Sequence, residues 1–263
     1  MRRQVTAHLE LEVTEPALLA LQVAVATPAA DEHLVAHSER GAGDDPRADR
    51  AAPRPGARAD PDHRSSGDRL FGRCRWGLAT PETTGHDLLA YRRPSRYCPS
   101  DRFLATAAAE FGGISDPAGL VRQVRRRVHG RLIYLGGSSG PSDDAVDTLL
   151  RGEGVCRDYA LLVLALLRAQ DVPARLVAVY APGLSPMDFH AVVEAWVDGA
   201  WQVLDATGLA PRASMLRIAT GRDAADTAFL SVHHGCAELL TMGVVAVVDA
   251  LPTDDPEATV SLG

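Results

Sequence analysis

The start of the chain alternates between apolar and polar side chains. The apolar members recur at every second position: Val5, Ala7, Leu9, Leu11 and Val13. A period of two predicts a β-strand with one buried face. The apolar residues of 18–26 predict a second strand, so we expect residues 1–35 to form a β-rich N-terminal region.

This pattern stops in the next part of the chain. Between positions 38 and 69 there is no Val, Ile, Leu, Met, Phe, Trp or Tyr. Such a segment cannot bury enough apolar surface to offset its ordering entropy, so we expect residues 36–86 to be a low-complexity, disordered linker. A second explanation stays open. All 27 basic residues are arginine, which suggests a GC-rich gene, and a shifted reading frame in such a gene would give this composition and leave the first strands truncated.

Regular patterns return near Asp87 and continue to the end. Helices are predicted over 102–111, 117–131, 143–150 and 156–169, with Ser142 as the N-cap of the third. Strands are predicted over 175–180, 190–197, 200–206 and 237–250. The helix that begins at Cys156 is apolar nearly all round, which is typical of a buried central helix. We therefore expect an α+β domain over 87–263, in which this helix packs on an antiparallel sheet.

Charge narrows the classes of partner. The net charge is -7 and the isoelectric point about 5.7, whereas proteins that bind nucleic acids or anionic membranes usually carry a basic face. No apolar run approaches the roughly 20 residues of a membrane-spanning helix. Met1-Arg2-Arg3 is basic, but Glu10, Glu12 and Glu15 interrupt the apolar core that a signal peptide needs. We expect no nucleic-acid or membrane partner and a cytoplasmic location.

Four cysteines are candidates for chemistry: Cys74, Cys98, Cys156 and Cys236. None of them forms a C-x-x-C pair, so neither a zinc ribbon nor a thioredoxin-like site is indicated. Cys156 stands apart because it lies where the glycine-rich turn at 152–154 meets the apolar helix. At a helix N-terminus the macrodipole and the free N–H groups favour the nucleophilic thiolate.

A second cluster of potential ligands is His233-His234-Gly235-Cys236. Adjacent residues of a strand point to opposite faces, so two neighbouring histidines rarely share one metal ion. We therefore expect neither a metal nor a cofactor.

Two downstream residues are candidates for a base and an orienting carboxylate. Asp198-Gly199 predicts a two-residue hairpin turn between the second and third strands of this domain. Counting along the paired strands puts His190 and Asp205 on one face, a diagonal step of roughly 7–8 Å apart. Glu194 shares this face but lies about 13 Å from His190 along its strand, so Asp205 is the better partner.

Cys156, His190 and Asp205 together form a candidate catalytic triad. The Cys156 thiolate would attack an amide or ester carbonyl, His190 would move the proton, and Asp205 would orient the ring and stabilise the imidazolium. The backbone N–H of Cys156 is a candidate oxyanion donor, and a second donor is needed but not identified. Each residue alone also has a structural interpretation, as a helix-start cysteine, a core histidine or a turn aspartate. Their chain order and shared face favour catalysis.

Four segments carry a resemblance to a known family: Gly-Val-Cys-Arg-Asp-Tyr-Ala (154–160), Val-Pro-Ala-Arg-Leu-Val (172–177), Phe-His-Ala-Val-Val-Glu-Ala-Trp-Val (189–197) and Trp-Gln-Val-Leu-Asp-Ala-Thr (201–207). They resemble the transglutaminase-like core, most closely that of the bacterial transglutaminase-like cysteine proteases. The resemblance covers roughly residues 87–250. It implies a papain-like α+β fold behind a β-rich N-terminal domain, with Cys156, His190 and Asp205 as the triad. Many relatives carry a histidine where this chain has Leu161.

The reaction class that follows is thiol-dependent acyl transfer at amide bonds through a thioester. A cysteine peptidase or amidase and a protein-glutamine transferase both fit, and we favour hydrolysis because water is the default acceptor. The expected partner is a peptide or protein amide, and the oligomeric state stays open. Two alternatives remain: a non-catalytic transglutaminase-like interaction domain, and an inactive copy with a damaged N-terminal region.

Overall fold

A computed structural model of the chain describes residues 1–26 and 83–262. The strands are β1 (Arg3–Glu15), β2 (Leu18–Leu21), β3 (Ile133–Tyr134), β4 (Glu153–Gly154), β5 (Ala174–Tyr180), β6 (Phe189–Val197), β7 (Ala200–Leu204), β8 (Leu216–Gly221), β9 (Leu230–His233) and β10 (Cys236–Val248). The helices are α1 (Gly85–Ala90), α2 (Leu104–Phe111), α3 (Pro117–Arg131), α4 (Ala145–Arg151), α5 (Cys156–Ala169) and α6 (Ala224–Thr227), with 3-10 turns at Ser100–Phe103 and Arg212–Ser214. Within the described ranges, no helix combines the length and apolar character that crossing a bilayer requires.

Helix α5 is the centre of the fold. Every residue from Asp158 to Arg168 is buried, and Leu161, Leu164 and Leu167 are fully enclosed. The helices α2, α3 and α4, the 3-10 turn at 100–103 and the strands β5 and β6 all pack against α5. The prediction of a central buried helix over 156–169 is confirmed, because a helix that is apolar all round needs neighbours on all sides.

The main sheet is antiparallel, with the strand order β7-β6-β5-β8. Leu176 and Val193 face the core that contains α5. Their strand neighbours Val177 and Val192 belong to a second apolar cluster on the other face of the sheet. Since both faces are covered, β5 and β6 are largely apolar runs rather than alternating ones. The predicted packing of the central helix on an antiparallel sheet is therefore confirmed.

The hairpin between β6 and β7 has the predicted two-residue turn. Val197 pairs with Ala200 across it. Asp198 and Gly199 have φ values of 52° and 80°, the two positive angles that a type I′ turn requires. A turn of this kind sets the pairing register of both strands.

The N-terminal strands pair with the last part of the chain. β1 lies antiparallel to β10, with Arg3 opposite Val248, and β2 lies antiparallel to β9. The Tyr180 hydroxyl at the end of β5 donates to the Val23 carbonyl at 2.7 Å, which joins the N-terminal segment to the main sheet. The period-two pattern predicts the strand but not its partner. The division into 1–35, 36–86 and 87–263 stays a prediction, and the linker and reading-frame hypotheses fall mainly on positions 27–82, outside the described residues.

Some element boundaries differ from the predicted ones. The helix expected over 143–150 with Ser142 as its cap is α4, and Asp144 caps it instead. The Asp144 carboxylate accepts from the backbone N–H groups of Val146 (2.7 Å) and Asp147 (3.1 Å), while Asp147 accepts from the Asp144 N–H. This capping box is reciprocal, and a hydroxyl at position 142 lies too early in the chain to make it. The second strand ends at Leu21 rather than at 26. Six further elements are not predicted, because each has six residues or fewer and so shows no clear period: α1, α6, β3, β4, β8 and β9.

The enclosure of α5 leads to a stability prediction. Leu164→Ala removes a fully buried side chain from the core and should lower the free energy of unfolding by about 2–5 kcal/mol. Leu150→Ala is the matched control, because Leu150 is 79% exposed in α4 and its replacement should change stability by roughly 0.5 kcal/mol or less. Urea denaturation followed by circular dichroism measures both. Equal losses in the two variants would contradict the central position of α5.

Candidate active site

Cys156 is the first residue of α5 and is partly exposed. The chain reaches it from Gly152, which ends α4 with a φ of 75°. The Asp158 carboxylate accepts from the Val155 N–H at 2.8 Å and fixes the start of the helix. Gly154 allows this close approach, because a Cβ there would lie 2.6 Å from that of Asp158. The thiol therefore lies at a helix N-terminus, where the first-turn N–H groups have no partner within the helix.

His190 and Asp205 meet at the far end of the β6–β7 hairpin from its turn. His190 is the second residue of β6, and Asp205 directly follows β7. The last hairpin pair is Val193 with Leu204, so the continued register puts Asp205 on the face of His190. The His190 Nε2–H donates to Asp205 Oδ2 at 3.0 Å, and both side chains are buried. The structure thus brings together the two residues that the hairpin register predicts to be neighbours.

The turn that follows Asp205 holds its carboxylate in place. Thr207 donates twice to Asp205 Oδ1, from its backbone N–H at 2.8 Å and from its hydroxyl at 2.7 Å. His129 in α3 donates from Nδ1 to the Ala206 carbonyl at 2.8 Å and anchors the same turn. Oδ2 is consequently left for His190. The sequence reasoning missed Thr207, although an Asp whose side chain bonds the backbone two residues on is a known turn signal.

The second ring nitrogen of His190 is the one available to the thiol. Nδ1 is buried and has no hydrogen-bond partner among the described residues. The Cys156 side chain lies close enough to this ring to raise the pKa of His190. Because Asp205 engages Nε2, Nδ1 is the atom that can exchange a proton with Cys156. The three predicted residues therefore lie in one site, and their catalytic roles stay a prediction.

Both members of the His190–Asp205 pair are shifted toward their charged forms. Burial lowers the pKa of His190, but the Asp205 carboxylate and the Cys156 side chain outweigh it and raise this pKa to about 10. Burial raises the pKa of Asp205, but His190 and the two Thr207 donors outweigh it and hold that pKa below its usual range. At neutral pH the ring therefore carries a proton, and the carboxylate is its counter-charge.

Glu194, the alternative orienting carboxylate, is engaged by other partners. It is fully buried between Arg175 and Arg217, with nitrogen–oxygen distances of 2.6 Å and 2.5 Å. The Arg175 guanidinium also lies 4.0 Å from the ring centroid of Trp201, which packs at 5.3 Å against Trp196. These contacts brace neighbouring strands of the sheet and leave Glu194 no part in orienting His190.

The other described cysteines, Cys98 and Cys236, differ from Cys156 in their exposure. Cys98 is fully buried, and burial raises the pKa of its thiol to about 11. Cys236 is exposed at the start of β10, and Cys74 lies outside the described residues. The rings of His233 and His234 lie 6.4 Å apart. Across residues 1–26 and 83–262, no group of three or more His, Cys, Asp or Glu side chains is placed to hold a metal ion.

Cys156, His190 and Asp205 all lie within a stretch of the chain that is similar to a known protein family. Residues 105–206 match the model of the transglutaminase-like superfamily. The crystal structure of "a Putative Cysteine Protease from Cytophaga hutchinsonii" is similar over 98% of this chain and 94% of its own, with 26% identity and a TM-score of 0.73. The periplasmic domain of TgpA from Pseudomonas aeruginosa is 28% identical over 48% of each chain, with a TM-score of 0.40.

A curated relative adds similarity without a function. An uncharacterized protein of Mycobacterium leprae is 26% identical over 148 residues, which are 52% of this chain and 52% of the relative. The chain thus spans about half the length of that relative.

The charged pair leads to a prediction about stability and pH. Folded His190 keeps its proton up to about pH 10, whereas the unfolded chain releases it near 6.5. The folded chain binds more protons between these values, so the stability from the pair is fully present below about pH 6.5 and is lost as the pH rises toward 10. The lowered pKa of Asp205 sets the acid limit of this pH range. The stability that the pair contributes is present above about pH 3.8 and is lost as the pH falls below it.

The measurement is the difference in unfolding free energy between the parent chain and Asp205→Asn, followed from pH 3 to pH 10. We expect a maximum between about pH 4 and 6.5. Asp198→Asn, an exposed aspartate in the same hairpin, is the matched control and should show no such maximum. A difference for Asp205→Asn that stays constant from pH 5 to pH 10 would contradict the charged pair.

The role of Thr207 can be tested by removing its hydroxyl. Thr207→Val deletes one of two donors to Asp205 and should slow reaction at Cys156 roughly tenfold, on the order of one charged hydrogen bond. It should also move the acid limb of the pH–rate profile to higher pH, because burial of Asp205 is then less well opposed. Thr207→Ser keeps the hydroxyl and should restore both rate and profile. A slower rate with an unmoved acid limb would indicate a packing role only.

Proposed function

The chain carries a transglutaminase-like domain with the α+β fold that its sequence predicts, and on this premise we propose that it is a thiol-dependent acyl-transfer enzyme. A transglutaminase-like fold and a structural neighbour titled "a Putative Cysteine Protease" support thiol-dependent enzyme activity in general. The finer proposal is a cysteine peptidase or amidase that acts on peptide or protein amides. A cytoplasmic location stays a prediction from composition.

The proposed reaction passes through a thioester on Cys156. The Cys156 sulfur attacks the amide carbonyl carbon, and the carbonyl π pair moves onto oxygen to form a tetrahedral oxyanion. As this intermediate collapses, the carbon–nitrogen bond breaks and the leaving amine takes the proton from the His190 imidazolium. Water then attacks the thioester and gives a proton to His190, and the collapse of this second intermediate releases the acid and the Cys156 thiolate. Asp205 keeps the ring oriented throughout.

One observation carries this proposal. A buried, charged His190–Asp205 pair stands with its free ring nitrogen available to a cysteine at a helix N-terminus. Burying an ion pair is costly unless its partners and hydrogen bonds are well placed, so such a pair beside a thiol favours a chemical role. A core histidine would not need a carboxylate that is itself held by two further donors.

We propose that water is the acceptor of the acyl group. An amine acceptor, as in a protein-glutamine transferase, follows the same first half-reaction and differs only in the second. Product analysis with and without an added primary amine distinguishes the two.

The non-catalytic interaction domain is the second candidate. A domain of this kind would need no interaction between the thiol and the charged pair, whereas Cys156 lies close enough to His190 to raise the pKa of the ring. The third candidate is an inactive copy with a damaged N-terminal region. A melting curve followed by circular dichroism would then show a broad transition, as expected of a loosely folded chain.

The proposal predicts selective chemistry at Cys156. Iodoacetamide at pH 6 should label Cys156 ahead of Cys98, which is buried with a raised pKa, and ahead of the exposed Cys236. Cys156→Ala should abolish that label and also any thioester adduct that mass spectrometry finds after exposure of the chain to cell extract. Cys236→Ser is the matched control and should leave both signals intact.

Two results would contradict the proposal. One is labelling of Cys98 or Cys236 in place of Cys156 at pH 6. The other is a well-folded parent chain, with a sharp melting transition, whose Cys156 never carries an acyl group; that result would favour the interaction domain.

A further inference from the structure

Asp188 lies immediately before strand β6, two residues ahead of His190, and is exposed. Continuing the strand by one residue puts the side chains of Asp188 and His190 on the same face of the sheet, about 7 Å apart along the chain. In the proposed reaction the His190 imidazolium gives its proton to the leaving amine. Asp188 therefore lies on the side of the site from which the amine fragment departs.

The Asp188 carboxylate has one local contact and no charged partner. Its Oδ1 accepts from the backbone N–H of Phe189 at 2.7 Å, and within the described residues no arginine or histidine forms an ion pair with it. Glu194 and Asp205 differ in this respect, because partners within the fold compensate both carboxylates. The negative charge of Asp188 is thus open to a ligand.

The ring of Tyr134 lies in the same part of the site. β3 pairs in parallel with β4, which puts Tyr134 opposite Gly154, two residues before Cys156. Burial raises the pKa of Tyr134 to about 12, and the charges of Cys156, Asp188 and Asp205 act in the same direction, so these groups lie near the Tyr134 side chain. The residue stays 44% exposed. An exposed aromatic ring near an unpaired carboxylate favours a cation, because both groups attract positive charge.

The remainder of this rim is apolar. Ile133 and Leu135, on either side of Tyr134, are exposed as well. Three consecutive exposed apolar residues are unusual on a folded surface unless they meet a ligand. Lys and Arg carry their charge at the end of an apolar stem. A side chain of this kind matches a site that has an apolar wall and a carboxylate at its end.

The basic residue closest to Cys156 in the sequence does not neutralise this carboxylate. The Arg157 guanidinium donates to the Ser139 hydroxyl at 2.6 Å and to the Gly140 carbonyl at 2.5 Å. These contacts hold its charge on the loop that follows β3. The rim at Asp188 is therefore negative, which is complementary to a basic side chain.

We propose that Asp188 is a specificity-determining residue, which binds the Lys or Arg side chain that directly follows the scissile amide bond of a peptide substrate. The cation lies between the Asp188 carboxylate and the Tyr134 ring, and its stem lies along the apolar rim. This inference rests on the proposed function, and it names the class of peptide that the proposed peptidase cleaves.

Cleavage of synthetic peptides tests the inference. A mixture of peptides that vary at every position is incubated with the parent chain, and mass spectrometry identifies the cleaved bonds. Two versions of the best-cleaved peptide, with Arg or Glu directly after that bond, are then compared by kcat/KM. The parent should favour the Arg peptide roughly tenfold, because an exposed charge attracts one side chain and repels the other. Added salt should reduce this ratio, since it screens exposed charges.

Three variants separate the charge of Asp188 from its place in the chain. Asp188→Asn keeps an oxygen for the Phe189 N–H but removes the charge, and it should bring the ratio to within about threefold of unity. Asp188→Arg should reverse the preference in favour of the Glu peptide. Asp198→Asn changes an exposed aspartate beyond the other end of β6, and this matched control should keep the parent ratio.

The outcomes distinguish this inference from the function on which it rests. Equal kcat/KM values of the parent chain for the Arg and Glu peptides would refute the inference alone. A parent-like ratio in Asp188→Asn would also refute it, and a loss of both activities at that ratio would indicate that Asp188 only supports the strand. A parent chain that cleaves no peptide of the mixture would refute the proposed peptidase, and the inference with it.

Discussion

Burial of α5 on every side is the constraint on which the rest of the structure depends. The main sheet and the helices around it cover the apolar surface of α5, and this contact holds the first residue of the helix in one place. Its other end is fixed as well, since the buried Arg168 guanidinium donates to the Ala174 carbonyl at 2.8 Å, where β5 begins. Close-packed interiors are hard to compress, so a helix enclosed in this way holds its N-terminal thiol in a defined place.

In the same low-dielectric interior, each buried charge needs partners that compensate it. An isolated ion is costly there, and the two buried clusters on the sheet meet that cost in different ways. Glu194 is satisfied entirely by Arg175 and Arg217, which leaves it no capacity for further chemistry. Asp205 is satisfied by Thr207 and His190, and His190 keeps one ring nitrogen free of nitrogen and oxygen partners. The cluster that keeps a ring nitrogen free, His190 with Asp205 and Thr207, is therefore the one that lies beside the Cys156 thiol.

Features that depend on neighbouring residues could be predicted from the chain alone. The two-residue turn at Asp198-Gly199 sets the parity of both strands, and from that parity the contact between His190 and Asp205 follows by counting. The helix from Cys156 follows from an apolar run behind a glycine turn. The cap of α4 was placed wrongly because Ser142 and Asp144 both precede the helix, and only the geometry of the turn favours the carboxylate.

Contacts between distant segments could not be predicted in this way. Nothing in the alternating pattern of β1 identifies β10 as its partner, because a strand's pattern specifies which face is buried and not which edge is paired. The pairing of β3 with β4 gave no signal either. Each of these strands has two residues and therefore no periodicity, so the pair becomes visible only in the tertiary structure.

The amino-acid sequence by itself therefore determined the α+β class, the central helix with its thiol, and the His190–Asp205 neighbourhood. Each of these follows from helix or strand periodicity, or from a turn of fixed length. Only the tertiary structure decided which ring nitrogen is left for the thiol and which donors hold the Asp205 carboxylate. Both depend on side-chain directions and on packing between segments far apart in the chain, which no local pattern encodes.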